Sequence, residues 1–472
     1  MSDGLRGRRV TVMGLGTRQG GLGIARYLAA QGATVTVTDL RSEEALAETV
    51  AALAGLPIRF VLGRHEERDF TPEGADLIVR NPAVPRRAPL LQLARRHGVP
   101  IEMEMSLFFR ACPAPIVGVT GTKGKTTVST LAGVLLREAN PAARVAGNMG
   151  VTALGQLDDL TPDAPIVLEL SSWQLEALIE HQLAPHIAVL TLVAEDHLNT
   201  YDGFEDYAAT KRGIGLHQTP DDVLVVNRDD PESWRAAGET RAAIAPFGLS
   251  DPGEDGAWQA GDALVWRWRG LEARWPQPTQ PALAGPHGRR NALAAIAAAM
   301  LAGADREAVA RGLAGFAGVR DRMEQIGIVN GVTYLNDTTA TAPVAAAAAL
   351  AALAERPGRV LLLAGGADKK LDPAPLADAA ASAGAVPFVF EGTATPALTA
   401  ALRARGVEPR GQFASMTDAV AAATEAALPG DIVLLSPGCA SFGLFRDEFD
   451  RGEQFRQAVA ALAAREMVAA HD

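Results

Sequence analysis

Short apolar runs bounded by Gly, Pro, Asn or Asp recur along this chain, and between them lie longer stretches with apolar residues at helical spacing. Residues 9–13 alternate as a strand, 23–31 carry the helical period, and 34–38 alternate again. Further strands are expected at 77–80 and 100–102, around the turn 81–85. A second series opens with the apolar run 116–119, followed by helical spacing over 128–137 and by buried strands at 165–170 and 186–192. Within it, residues 263–275 alternate around several tryptophans, which reads as an inserted β-hairpin with core aromatics. A third series starts beyond Gly318, with strands at 333–335, 360–363, 386–390 and 431–435 separated by alanine-rich helices. Strand–helix alternation builds parallel sheets covered by helices, so the pattern predicts an α/β chain of three domains, 1–112, 113–317 and 318–472.

Composition narrows the class. At 472 residues the chain exceeds what one core holds, and a 48% hydrophobic content is ample for several, much of it alanine suited to helices. A net charge of −11 argues against a nucleic-acid partner, because gripping a phosphate backbone needs a basic surface. An anionic substrate must then be held by local basic groups. Cys112 and Cys439 stand far apart, without the Cys-x-x-Cys spacing of a zinc ribbon. The first nine residues hold no apolar leader, and the most apolar run, 342–354, is too short to span a bilayer. A soluble chain in a reduced, cytoplasmic compartment, with no membrane insertion, is therefore expected.

Chemistry concentrates first at Thr120-Gly121-Thr122-Lys123-Gly124-Lys125-Thr126-Thr127. A buried strand, a glycine-rich turn and a helix start form the build that cradles phosphate. Inward-facing amides and the helix dipole hold the anion, Lys125 neutralises the terminal phosphates, and Thr126 offers a hydroxyl to Mg2+. Val119 stands where the strict motif has its first glycine, and an incidental lysine on a glycine turn is the alternative. The flanking strand and helix favour nucleotide binding, hence a central P-loop-type ATPase domain between two Rossmann-like ones. In the first domain, Gly14-Leu15-Gly16 with Asp39 after the second strand approximates a dinucleotide fingerprint whose third glycine is displaced to Gly20. That turn suits any nucleotide diphosphate, and an NAD-dependent oxidoreductase is the corresponding alternative.

Four further polar clusters follow expected strands, where open α/β sheets place their ligands. Glu169 can face the phosphate loop and share Mg2+ with Thr126, unless Ser171 or Ser172 merely caps a helix. Glu195-Asp196-His197 offers a second metal ligand or phosphate-orienting group, with Lys211 fourteen residues beyond His197; a structural His and a solvated Lys are the alternatives. Asn336-Asp337-Thr338-Thr339-Ala340-Thr341 reads as a polar site or a capped helix start. Ser436-Pro437-Gly438-Cys439-Ala440-Ser441 suits an anion or carboxylate pocket, or a tight turn.

In this order, the phosphate loop, Gly147-Asn148-Met149-Gly150, Glu169-Leu170-Ser171-Ser172-Trp173-Gln174-Leu175-Glu176, Glu195-Asp196-His197, Asn336-Asp337 with Ala340-Thr341, and the 436–441 segment through Arg451-Gly452-Glu453-Gln454-Phe455 resemble the motif set of the Mur ligase family. The resemblance is nearest to the branch that adds glutamate, and it covers essentially the whole chain. It implies an ATP-dependent amide ligase that adds D-glutamate to UDP-N-acetylmuramoyl-L-alanine through an acyl phosphate, in cytoplasmic peptidoglycan precursor synthesis. L-glutamate or another amino acid is the variant reading.

The same resemblance implies roles for individual residues. ATP would lie on Gly121, Thr122, Lys123, Gly124, Lys125, Thr126 and Thr127, with Asn291, Arg322 and Asp337 beside it. Two Mg2+ ions are implied, one at Thr126 and Glu169, the other at His197 and a carbamate on Lys211. A carbamate forms only on a neutral amine, so Lys211 needs a lowered pKa. Lys125, His197 and Lys211 make the catalytic set. Thr17, Asp39 and Arg41 would meet the uridine diphosphate, Asn148, Ser171 and Gln174 the muramoyl portion, and Thr341, Lys369 and Ser441 the carboxylates of glutamate. A monomer is expected. Three residues depart from the branch's pattern: Thr339 replaces a Lys, Gly288 replaces an Asn after His287, and Glu448 replaces an aromatic residue. A carboxylate at Glu448 repels a dianionic amino acid unless it pairs with a base.

Overall fold

The computed structural model describes residues 4–16, 19–149, 151–196, 200–354 and 356–469. The chain forms three sheets in two compact units, one of Met1–Pro276 with Arg290–Leu313, the other of Gln277–Arg289 with Ala314–Asp472.

The first sheet holds β1 (Arg9–Met13), β2 (Thr34–Asp39), β3 (Ile58–Leu62), β4 (Leu77–Arg80) and β5 (Ile101–Glu102) in the order β3-β2-β1-β4-β5, all parallel. β2 and β4 flank β1 on opposite sides, so the strand order reverses there and opens a crevice at its C-terminal end. The helix Gln19–Ala30 begins earlier than the periodicity predicts, inside the glycine run. There the glycines serve close packing: a Cβ on Gly21 would overlap the Leu15 carbonyl, and one on Gly23 would stand 2.6 Å from Thr152 Oγ1. Strand β3 is absent from the expected set because it is an edge strand interrupted by exposed Arg59.

The second sheet holds β6 (Ile116–Thr120), β7 (Arg144–Gly147), β8 (Ile166–Glu169), β9 (Ile187–Leu190), β10 (Val223–Asn227), β11 (Ala243–Gly248), β12 (Gly256–Ala260), β13 (Ala263–Trp268) and β14 (Leu271–Pro276). Its order is β14-β13-β12-β11-β10-β9-β6-β8-β7. Pairing is parallel from β7 to β12 and antiparallel across β12–β14. The tryptophan hairpin therefore extends the main sheet, and Trp258, Trp266 and Trp275 are buried in it. One apolar core runs through both sheets of this unit, including Val12, Phe108, Leu168 and Leu190. Each such side chain contributes about 1.5–3 kcal/mol by leaving water.

The third sheet holds β15 (Glu324–Val329), β16 (Val332–Asn336), β17 (Val360–Ala364), β18 (Val386–Phe390), β19 (Gln412–Phe413) and β20 (Ile432–Leu435) in the order β15-β16-β20-β17-β18-β19. Only β15–β16 is antiparallel. Leu362 faces one core and its neighbours Leu361 and Leu363 the other, so both faces are covered, as the continuous apolar runs require. Insertion of β20 between β16 and β17 gathers the loops after Asn336, Ala364 and Leu435 at one end. Among the described residues no helix is long and apolar enough to cross a membrane. Both cysteines are free.

Candidate active site

Strand β6 ends at Thr120, and residues 121–124 turn the chain into the helix Lys125–Ala139. Gly121 and Gly124 have φ of +142° and +92°. A Cβ on Gly121 would overlap Thr191 Oγ1, and one on Gly124 would lie 2.6 Å from Asn291 Oδ1, so the loop leaves no room for other residues. Thr191 Oγ1 donates to the carbonyl of Lys123 (2.7 Å) and also lies 3.0 Å from that of Thr120, fastening the loop to the segment after β9. Thr191 has no signature of its own in the sequence. Lys125 Nζ folds back to the carbonyls of Gly121 (3.0 Å) and Thr122 (3.1 Å). Among the described residues no side chain caps the helix at Gly124, and a helix N-terminus after a glycine turn suits an anion.

Glu169 ends β8, in register with Val119 on β6 and Gly147 on β7. It is buried; Oε1 accepts from Asn148 Nδ2 at 3.2 Å, whereas Oε2 has no hydrogen-bond partner. An orphaned carboxylate oxygen beside a phosphate loop is what a hard cation satisfies. Lys211 shares a face of the helix Phe204–Arg212 with Tyr207, one turn away. It is 2% exposed, and Nζ donates to Thr120 Oγ1 at 3.1 Å. Burial first, and then the charge of Lys125, hold its pKa well below the ordinary lysine value, against the pull of Glu169 and Asp196. That is the direction a carbamate requires, since it forms only on a neutral amine. Among the described residues no group of three or more His, Cys, Asp or Glu gathers for a metal. The donors present, a hydroxyl and a single carboxylate, suit a partly hydrated Mg2+. His197 lies outside the described residues, as does Thr17.

A cleft of about 610 Å³ opens beside this site, lined among others by Gly16, Arg41, Asn81, Asn148, Trp173 and Gln174. Asn148 belongs to both places, since its amide holds Glu169. Ser171 is not among the lining residues; it caps the helix Ser172–Glu180 in a reciprocal pair with Gln174, with Ser171 N donating to Gln174 Oε1 at 2.9 Å. Asp39 takes up the glycine turn: Oδ2 accepts from the amides of Leu15 (2.9 Å) and Gly16 (3.0 Å), and Oδ1 from that of Arg41 (2.9 Å). Glu104, another lining residue, accepts from Thr152 Oγ1 (2.5 Å) and Ala153 N (2.8 Å). Sequence reading misses it because its partners lie 48 and 49 residues further on.

In the second unit, Asp337 Oδ2 accepts from Ser436 Oγ (2.8 Å) and Oδ1 from Met323 N (3.2 Å). Burial pushes this carboxyl up to about 6, opposed by those hydrogen bonds and by the charge of Arg322. The 336–341 cluster caps no helix, since Pro343–Ala352 starts after Ala342 without a side-chain cap. Lys369 Nζ donates to Thr341 Oγ1 at 2.8 Å. Gly438 N donates to the Ala340 carbonyl (2.8 Å), and Ala367 pairs with Ala440, which sets buried Ser441 next to the same loop. Two of the three departures have a local account. Gly288 packs on the Leu283 backbone, 2.8 Å from its Cα to the position of a Cβ, so no asparagine fits. Thr339 Oγ1 is tied to the Asp321 carbonyl at 2.9 Å. Glu448 is half-buried and acts on the charge of Arg451.

Three family models match the chain: the Mur ligase MurD-like N-terminal domain over residues 8–102, the Mur ligase middle domain over 119–299, and the Mur ligase glutamate ligase domain over 321–439. A UDP-N-acetylmuramoylalanine–D-glutamate ligase of Roseiflexus sp. (strain RS-1) is 48% identical over 466 residues, 96% of this chain and 99% of that one. Among solved structures, the UDP-N-acetylmuramate-alanine ligase MurC of Thermotoga maritima aligns over 96% of this chain and 99% of its own, with a TM-score of 0.58 at 19% identity. The MurF ligase of the same organism, in complex with ADP, aligns over 98% and 100% with a TM-score of 0.53 at 17% identity. These two share the fold.

Proposed function

The chain belongs to the Mur ligase family, and on that premise we infer that it is an ATP-dependent ligase adding D-glutamate to UDP-N-acetylmuramoyl-L-alanine in peptidoglycan synthesis. The observation that carries this reading is the near-complete match to a D-glutamate ligase at 48% identity. The site geometry supports it, because Asn148 lines a nucleotide-sized cleft and also holds Glu169, which stands in register with the strand that leads into the phosphate loop. We assign the UDP-substrate to residues 1–112, ATP to 113–317, and the amino acid with part of the nucleotide to 318–472. The enzyme acts as a cytoplasmic monomer in this reading.

The carboxylate of the alanyl group attacks the γ-phosphorus, releasing ADP and leaving an acyl phosphate; the glutamate amine then attacks the acyl carbon and expels phosphate. A carboxylate is a poor electrophile, so this activation supplies the leaving group, and the protein's task is positioning and charge screening. Residues 121–127 hold the phosphates, Lys125 neutralises the transferring group, and Asn291, Arg322 and Asp337 contact the remainder of ATP. Thr126 and Glu169 would hold one Mg2+, and His197 with a carbamate on Lys211 a second; bound there, the ions screen phosphate charge. Neutral Lys211 adds CO2 through its lone pair and sheds a proton to form that carbamate. Thr17, Asp39 and Arg41 receive the uridine diphosphate, Asn148, Ser171 and Gln174 the muramoyl portion, and Thr341, Lys369 and Ser441 the carboxylates of glutamate.

An amino-acid panel tests the reading. Purified enzyme with ATP, Mg2+ and UDP-N-acetylmuramoyl-L-alanine should release phosphate when D-glutamate is added, and far more slowly with L-glutamate. Release that ignores the amino acid, or that prefers the L-enantiomer, overturns it. Chelation should abolish turnover and added Mg2+ restore it.

A further inference from the structure

The segment Arg451-Gly452-Glu453-Gln454-Phe455 has no part in the reading above, yet Arg451 is the largest of the fully buried side chains. It sits in the first turn of the helix Glu448–Ala469. Its guanidinium donates through Nε to Thr338 Oγ1 (3.0 Å), through Nη2 to the Thr338 carbonyl (2.9 Å) and through Nη1 to the Cys439 carbonyl (3.3 Å). The ring of Phe445 lies 6.0 Å from its Cζ. Every acceptor is neutral. Among the described residues no carboxylate comes within ion-pair distance, and the acidic groups that act on it are the Cys439 thiol first and then half-buried Glu448. Burial lowers its pKa to about 10, which leaves it protonated at neutral pH.

A buried cation with only neutral partners is opposed by desolvation, and an arriving anion relieves that opposition. The two loops that Arg451 joins are those bearing Thr341 and Ser441, tied a second time by Gly438 N to the Ala340 carbonyl. Gly452 fixes the helix start against the same place, since a Cβ there would stand 2.7 Å from Thr338 Cγ2. We propose that Arg451 is a positioning residue of the amino-acid pocket, locking the 338 and 439 loops together and lending them an uncompensated positive charge that draws in the dicarboxylate substrate. This rests on the reading that Thr341, Lys369 and Ser441 receive that substrate.

The test measures steady-state kinetics of Arg451→Met, Arg451→Lys and Lys369→Ala in the full-length enzyme, with melting temperatures alongside. The proposal expects Arg451→Met to raise KM for D-glutamate by about tenfold or more, with KM for ATP and the UDP-substrate changing by less than about twofold. Arg451→Lys, which keeps the charge without the fork, should recover part of the loss. An unchanged D-glutamate KM in Arg451→Met, with a raised one in Lys369→Ala, overturns the proposal and leaves the pocket reading standing. No change in either variant removes both. Should Arg451→Met fail to fold, Arg451→Gln replaces it: the lysine variant must then keep the lower D-glutamate KM, and equal values overturn the proposal.

Discussion

The two glycine turns of the first unit are built from the same ingredients and put their amides to opposite use. After β1, Asp39 reaches across and takes the amides of Leu15 and Gly16. After β6, among the described residues, no side chain caps the helix Lys125–Ala139 at Gly124, and the nearby carboxylate of Glu169 keeps one buried oxygen without a partner. Glycine spacing is therefore a poor guide to phosphate binding; what matters is whether the protein has already answered its own polar groups. Groups answered internally add stability, whereas groups left open await a ligand and are held at some cost to stability. Substitutions in the two classes should accordingly be read out by different instruments.

The largest effect is expected at the open loop. Lys125→Ala should lower turnover by at least about 10³-fold while the melting temperature moves by no more than about 2 °C. Normal phosphate release from that variant would break the comparison outright. Lys211→Ala should cost on the order of 10²-fold or more and be partly restored by formate or acetate, which replace the carbamate oxygens. Activity unaffected by the substitution would remove the carbamate from the account.

The answered groups should behave in the other way. Asp39→Ala leaves two amides of the turn without acceptors and should lower unfolding free energy by about 1–3 kcal/mol in urea titrations. An unchanged unfolding free energy would show that the turn does not depend on this acceptor. Asp337 sharpens the point through pH. Its native carboxyl titrates near 6 against an ordinary 3.8, so the folded state favours the protonated form. The associated stability is present below pH 4 and lost as pH rises through 6, amounting to about 3 kcal/mol. Asp337→Asn should therefore gain on the parent protein by about that much between pH 4 and pH 8, and a pH-independent difference would contradict it. The smallest effect belongs to Glu448→Gln, which removes a negative charge that acts on Arg451. KM for D-glutamate should fall by about twofold, and a rise would show that Glu448 helps the substrate.

Much of the architecture was legible before any coordinates, because strand and helix periods are set by backbone sterics within a few residues. The alternation of elements, the phosphate loop and the polar clusters after residues 169, 336 and 435 are all local patterns, and each cluster does follow a strand. Edge strands such as β3 and the two-residue β19 were not legible, since exposed positions blur the period and short length gives it no room. Gly20 reads as the displaced third glycine of a turn, yet it lies inside a helix, whose Gly21 and Gly23 permit the close approach to Leu15 and Thr152. The sequence alone thus determined which elements form and which chemistry they carry. Tertiary structure decided that Asp39 closes its own turn, that Glu169 keeps an unanswered oxygen, that Lys211 is stripped of water and that Arg451 is buried without an ion-pair partner among the described residues. Desolvation and partner choice exist only once segments far apart in the chain are packed together, and no local pattern encodes them.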